Sequence, residues 1–168
     1  SVTTYQMELP FNTTISSDVI KKTGRFSQAV ASWATKGRWV EEAFEQLEQA
    51  GYHIGSAYTA TKDPRRTTFV YRDRLWQGAD MLGLGVASFG HVDGVHMQNF
   101  DKWDTYGDAI DRAALPLARA YRPTDDERLV RELVLQLKLG SVRTAYFRDK
   151  YRVNIIERFR EPLTPGWR

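Results

Sequence analysis

The chain has 168 residues, room for one domain or for a domain with a small appendage. Apolar residues make up 42%, charged residues 27% and aromatics 12%, which excludes a disordered tail and a fibrous repeat. The 24 basic against 21 acidic residues leave a net charge of +3, too mild to imply nucleic acid, and the lack of cysteine excludes disulfides, thiolate nucleophiles and thiolate-held zinc or iron–sulfur clusters on this chain.

No apolar run approaches the roughly 18 residues of a membrane span. The first residues also lack the basic-then-apolar order of a signal peptide, so a cytoplasmic protein with no membrane contact is expected. Residues 1–9 alternate and are rich in β-branched and aromatic types (Val2, Thr3, Thr4, Tyr5), which predicts a strand ending at Pro10. Between Trp39 and Ala50 the residues Trp39, Val40, Ala43, Phe44, Leu47 and Ala50 recur at helical spacing opposite Glu41, Glu42, Glu45 and Glu48. Gly51 then reads as the C′ residue, and Tyr52 to Tyr58 as a second strand. Strand, helix, strand is βαβ order and predicts a parallel sheet in an α/β fold.

The polar stretch from Thr59 breaks at Pro64, and Thr67 to Tyr71 reads as a short extended piece. Met81 to Phe89 is a buried-strand candidate carrying Gly83 and Gly85. Glycines inside a strand mark a bulge or a close approach to the backbone, by a ligand or by a packed helix. Asp93-Gly94 between Val92 and Val95 is a two-residue hairpin signal, because a type I′ turn needs positive φ at both central positions. That turn pairs Val92 with Val95, His91 with His96, Gly90 with Met97 and Phe89 with Gln98, so Phe89, His91, His96 and Gln98 share one face. Two imidazoles about 5 Å apart at Cβ suit a metal, a haem or an anionic group, or form a polar pair on a solvated face.

Beyond Asn99 helices are expected: one capped by Asp101 and presenting Trp103, Tyr106, Ile110 and Ala113, and one opened by the capping box Thr124-Asp-Asp-Glu127. The latter carries Leu129, Val130, Leu133, Val134 and Leu137 on a stripe and stops at Gly140, with further helices over 141–151 and 153–159. The chain divides near residue 99 on this reading, into an α/β part (1–99) and a helical part (100–168).

Arginines outnumber lysines 17 to 7, and Arg65, Arg66, Arg72 and Arg74 precede the glycine-bearing segment. Guanidinium forks there suit a polycarboxylate, or are solvated surface charges. Gly83-x-Gly85 lacks the third glycine of a dinucleotide fingerprint, and no HExxH, Walker, EF-hand or Ser/His/Asp order is present. Glu8, near a strand end, and Asp80 are the carboxylates in unusual positions.

Asp80-Met-Leu-Gly-Leu-Gly-Val-Ala-Ser-Phe89 followed by Gln98-Asn99 resembles the "D-L-L-G-x-G-V-S-A … Q-N" segment of the oxygen-independent coproporphyrinogen III oxidase family of radical-SAM enzymes. Ser1 to Pro10, continued by Asn12-Thr13, resembles that family's late barrel strand, and Leu115 to Arg128 with Arg131 to Leu139 resembles the start of its helical C-terminal domain. The resemblance implies the C-terminal part of a partial (β/α) barrel followed by a helical domain. It implies a parent oxidoreductase of haem biosynthesis or haem utilisation that holds a [4Fe–4S] cluster on Cys-x3-Cys-x2-Cys and cleaves S-adenosylmethionine to attack a tetrapyrrole. The cluster cysteines are not in this chain, so alone it cannot make the radical, and the missing N-terminal half of the barrel becomes an expected partner.

By resemblance Gln6 and Phe89 fall near S-adenosylmethionine, with Gly83 and Gly85 letting a ligand approach. Arg72 and Arg74 are then expected to pair with propionates, and His91, His96 and Gln98 to line the substrate cavity. His91 and His96 depart from the oxidase pattern, which leaves room for haem-utilisation or haem-chaperone relatives. The alternative is a non-catalytic haem-binding or trafficking module with His91, His96 or Met97 on the iron.

Overall fold

The computed structural model describes residues 1–6, 14 and 31–163. Glu8, Pro10, Asn12, Thr13 and the second half of the first predicted strand lie outside the described residues. The fold is mixed α/β and separates into two compact units, Ser1–Thr68 and Phe69–Arg168.

In the first unit, strand β1 (Val2–Thr3) is followed by helix α1 (Trp33–Gln49) and strands β2 (His53–Ser56) and β3 (Thr59–Thr61). Ser32 caps α1 by accepting from the Thr35 amide at 3.2 Å. Gly51, at φ +77°, ends it as the C′ position demands. Val40, Ala43, Phe44 and Leu47 make the half-buried stripe of this helix, whereas Trp39 and Ala50 stay exposed.

The sheet order is β1-β3-β2 and both pairings are antiparallel. The expected parallel sheet is therefore not what these strands form. β1 and β2 do run the same way, as βαβ order requires, but β3 turns back after Tyr58 and inserts between them. As the central strand it is buried throughout, at Thr59, Ala60 and Thr61. The Thr59 hydroxyl is satisfied locally, its Oγ1 2.7 Å from Ser56 Oγ of β2.

The second unit opens with helix α2 (Val70–Trp76), where an extended piece is expected. The β-branched and aromatic run favours a strand locally, but the helix puts Phe69, Arg72 and Trp76 on one face. The Arg72 guanidinium lies 4.5 Å from the Phe69 ring centre and 5.1 Å from that of Trp76, which is buried.

Strands β4 (Phe89–Val92) and β5 (Val95–Asn99) form the hairpin in the predicted register, with Asp93 and Gly94 at φ +47° and +71°. Helix α3 (Trp103–Asp111) follows; its N-cap residue is Lys102, not Asp101. Strand β6 (Leu117–Tyr121) then pairs antiparallel with β5, completing a β4-β5-β6 sheet. β6 was not expected among the helices, and its pairing carries the sheet across residue 99, so the break between compact units falls at 68/69 instead.

Helices α4 (Asp125–Leu137), α5 (Thr144–Tyr151), α6 (Ile155–Arg158) and α7 (Arg160–Leu163) close the unit. Both halves of the Thr124/Glu127 capping box are made. Leu129, Leu133, Phe147 and Ile155 form the core, ringed by Val142, Tyr146, Tyr151, Val153 and Phe159. The buried face of α4 is Leu129, Glu132, Leu133 and Gln136; Val130, Val134 and Leu137 of the predicted stripe are exposed.

Glu132, 3% exposed, accepts from the Tyr146 hydroxyl at 2.6 Å and from Lys150 Nζ at 2.8 Å. Lys150 also donates to the Gln77 carbonyl at 2.9 Å, capping the end of α2, and the Tyr146 hydroxyl lies 2.8 Å from the same oxygen as an alternative partner. Burial, then the hydrogen bond to Glu132, pushes the Tyr146 hydroxyl above its ordinary pKa. Gly78 sits against this pair at φ +79°, where a Cβ would overlap Glu132 Oε1.

Candidate functional site

Met81 to Phe89 is not a strand. Before β4 begins at Phe89, Met81 makes an isolated bridge, exchanging both backbone bonds with His91 at 2.7 Å, and residues 82–88 loop back over β4. A Cβ on Gly83 would overlap the Phe89 carbonyl, so the partner that approaches this glycine is the chain's own backbone. Gly85, at φ +97°, donates its amide to the Tyr106 hydroxyl at 3.1 Å, and Ala87 also takes positive φ, +59°. Buried Asn99 clamps the loop by donating to the Gly83 carbonyl at 3.1 Å and the Gly85 carbonyl at 2.9 Å. The asparagine of the "Q-N" in the resemblance thus reaches back to hold the glycines that precede it.

On the sheet, Phe89, His91, His96 and Gln98 share one face, because directly paired residues point the same way. The His91 and His96 ring centres are 4.5 Å apart and tilted by 35°. His91 is 6% exposed and its Nδ1 lies 3.4 Å from the Ala79 carbonyl. Burial, then His91 and Arg131, holds the His96 imidazole below the ordinary histidine pKa. Among the described residues no group of three or more metal-ligating side chains could hold an ion.

Strand β6 adds two residues that sequence reasoning missed. His96 pairs with Tyr121 and Gln98 with Arg119, so the face becomes two cross-strand rows: Phe89, Gln98, Arg119 and His91, His96, Tyr121. A signal was present: large and small residues alternate through Leu117-Ala-Arg-Ala-Tyr121, bracketed by Pro116 and Pro123. Arg119 Nε donates to Gln98 Oε1 at 2.8 Å, and Gln98 Nε2 donates to the Ala87 carbonyl at 3.3 Å. The Tyr121 hydroxyl donates to Glu127 at 2.7 Å. The carboxyl of Glu127 is held below its ordinary pKa by the Thr124 amide first, then by Tyr121. A cavity of about 240 Å3 opens over this face, lined by Phe89, His96, Gln98, Arg119 and Tyr121.

The other expected residues are dispersed. Helix α2 separates Arg72 from Arg74, since residues two apart on a helix point to opposite sides; an extended segment would have aligned them. Arg72 is ion-paired with Asp73 at 2.8 Å and packed on Phe69 and Trp76, while Arg74 is exposed. Gln6 is half-buried in the first unit, three residues after β1. Asp80 Oδ1 accepts from the Asp93 amide at 3.0 Å, bracing the hairpin turn.

No family model matches the chain. An oxygen-independent coproporphyrinogen III oxidase of Synechocystis sp. is 25% identical over 116 residues, which cover 61% of this chain and 25% of that protein. In fold the chain is similar to the coproporphyrinogen III oxidase of Escherichia coli, a radical SAM enzyme, with a TM-score of 0.60, 20% identity, and coverage of 82% of this chain and 34% of the other. The chain thus spans 25% and 34% of the lengths of these two proteins. No helix among the described residues is long and apolar enough to cross a membrane. The resemblance carried by Asp80–Phe89 and Gln98–Asn99 and the two comparisons converge: the chain is similar in sequence to part of an oxygen-independent coproporphyrinogen III oxidase and similar in fold to part of a coproporphyrinogen III oxidase that is a radical SAM enzyme.

Proposed function

We infer that this chain is a portion of a radical-SAM oxidoreductase acting on a tetrapyrrole, and that it forms part of the wall of the cofactor and substrate pocket. The observation that carries this reading is the agreement of two likenesses, of sequence and of fold, on the same kind of enzyme. With no cysteine among the 168 residues, the donor set for a [4Fe–4S] cluster does not exist here, and the thiolates belong to polypeptide outside this sequence. No chemical step is therefore assigned to these residues. Their part in the reading is to bind and to position. The sheet face with Phe89, His91, His96 and Gln98 lies toward the tetrapyrrole, and Phe89, at its edge, toward S-adenosylmethionine.

The natural gene product tests this directly. Its open reading frame is expected to supply Cys-x3-Cys-x2-Cys in polypeptide beyond these residues, and the anaerobically reconstituted protein to contain about four irons and four sulfides and to release 5′-deoxyadenosine from S-adenosylmethionine. A gene product without the cysteines, and without iron after reconstitution, overturns the reading.

A further inference from the structure

Two exposed aromatic rings flank a guanidinium on the β4-β5-β6 face. Phe89 and Tyr121 are 60% and 57% exposed, although each could have contributed to a core. Arg119 neighbours Tyr121 on β6 and lies across Gln98 from Phe89, its Nε engaged by Gln98; among the described residues no acceptor takes its two terminal amino groups. Because Gln98 is itself tied to the Ala87 carbonyl, the guanidinium is held in one orientation rather than swinging free. A fork fixed in this way is the geometry for bidentate recognition of a carboxylate.

Spacing decides what can lie there. Arg119 and Tyr121 are neighbours on one face of β6, about 7 Å apart along the strand, and Phe89 is two strands away, about 10 Å. A ring lying across β5 between the aromatics therefore has His96 beneath it and its acid at Arg119. The cavity of about 240 Å3 falls below the roughly 300–1,000 Å3 of a site that encloses a whole small ligand. It takes one ring and its side-chain acid.

Charges facing the site favour an anion. Arg131 of α4 acts electrostatically on His96, which puts a second guanidinium near the floor of the site beside Arg119. The carboxylate nearby, Glu127, already accepts from Tyr121, the Thr124 amide and the Thr124 hydroxyl. We propose that this face is a subsite for a single planar ring bearing a carboxylate, with Arg119 reading the acid, Gln98 orienting Arg119, and Phe89 and Tyr121 embracing the ring. The proposal rests on the tetrapyrrole reading only for the identity of the natural ligand; the subsite itself stands on the geometry.

The test uses the whole chain and three probes. 3-Phenylpropionate, one ring and one acid, is followed by chemical-shift changes; coproporphyrin III and its tetramethyl ester are followed by fluorescence. Expected are shifts of Phe89 and Tyr121 with 3-phenylpropionate, a loss of at least about tenfold in affinity for both acids in Arg119→Gln, a smaller loss in Gln98→Ala, and no change for the ester. Arg119 is exposed, so the variant keeps the fold, as an unchanged hairpin amide spectrum will show. Binding of both acids unchanged in Arg119→Gln overturns the subsite and leaves the tetrapyrrole reading intact. Arg119-dependent binding of 3-phenylpropionate with no binding of coproporphyrin III supports the subsite and counts against the tetrapyrrole reading. No shift at Phe89 or Tyr121 with either acid overturns the subsite.

Discussion

Glu132 should be the costliest charged side chain to remove from the second unit. It is 3% exposed and accepts from the Tyr146 hydroxyl at 2.6 Å and from Lys150 at 2.8 and 3.0 Å, so Glu132→Ala removes the shared anionic acceptor and leaves Lys150 without its counter-charge. Breaking a buried pair by removing one member costs about 3–5 kcal/mol. The Lys150 side chain is 39% exposed and can turn its ammonium to water, which lowers the expectation to about 2–3 kcal/mol. For a unit of about 100 residues that is a fall of roughly 10–20 °C in Tm.

Because the chain has two compact units, a single transition cannot be assumed. Calorimetry should be paired with peptide-resolved hydrogen exchange, and the destabilised peptides should be those of α2, α4 and α5. Replacing both partners, Glu132→Met with Lys150→Met, should cost less than Glu132→Ala alone, since no charge is left unpaired. A loss below about 1 kcal/mol in Glu132→Ala would refute the claim that this network holds α2 to the helical core.

Thr124→Ala should cost about 1 kcal/mol and speed amide exchange in the first turn of α4, because the capping box loses the hydroxyl that accepts from the Glu127 amide at 3.2 Å. Gly83→Ala should cost about 1–3 kcal/mol and disturb β4, the new Cβ meeting the Phe89 backbone rather than a side chain that can move; Gly107→Ala, with open space around it, is the control that should not destabilise. His96 has a folded-state pKa below its unfolded value, so the unfolded chain binds the proton more readily. Urea midpoints should hold level above about pH 6.5 and decline as pH falls below it, and His96→Gln should flatten that decline. A midpoint that rises on acidification would contradict the assignment.

Short-range chemistry made much of this structure legible. The hairpin register follows from Asp93-Gly94, whose positive φ values admit one tight turn and so dictate every pair from Val92/Val95 to Phe89/Gln98. The α4 start follows from two side chains three residues apart, and the α1 end from Gly51. The segments 67–71 and 81–89 were misread because β-branched, aromatic and glycine content favours extended backbone locally. Burial of Trp76 draws the end of the first, from Val70 on, into a helix, and the Asn99 clamp with the Gly83–Phe89 approach folds residues 82–88 of the second into a loop.

The candidate site divides the same way. That Phe89, His91, His96 and Gln98 share a face is a consequence of alternation along two strands joined by one turn, and needs no knowledge of distant residues. That Arg119 and Tyr121 join them, while Arg72 and Arg74 part company, was decided by tertiary structure. β6 becomes a strand because β5 offers an unpaired edge, and Glu132 is buried because Tyr146 and Lys150 arrive from another helix to satisfy it. Turn and cap geometry is set within four residues of chain, whereas strand pairing and the burial of a charge depend on partners that sequence spacing does not reveal.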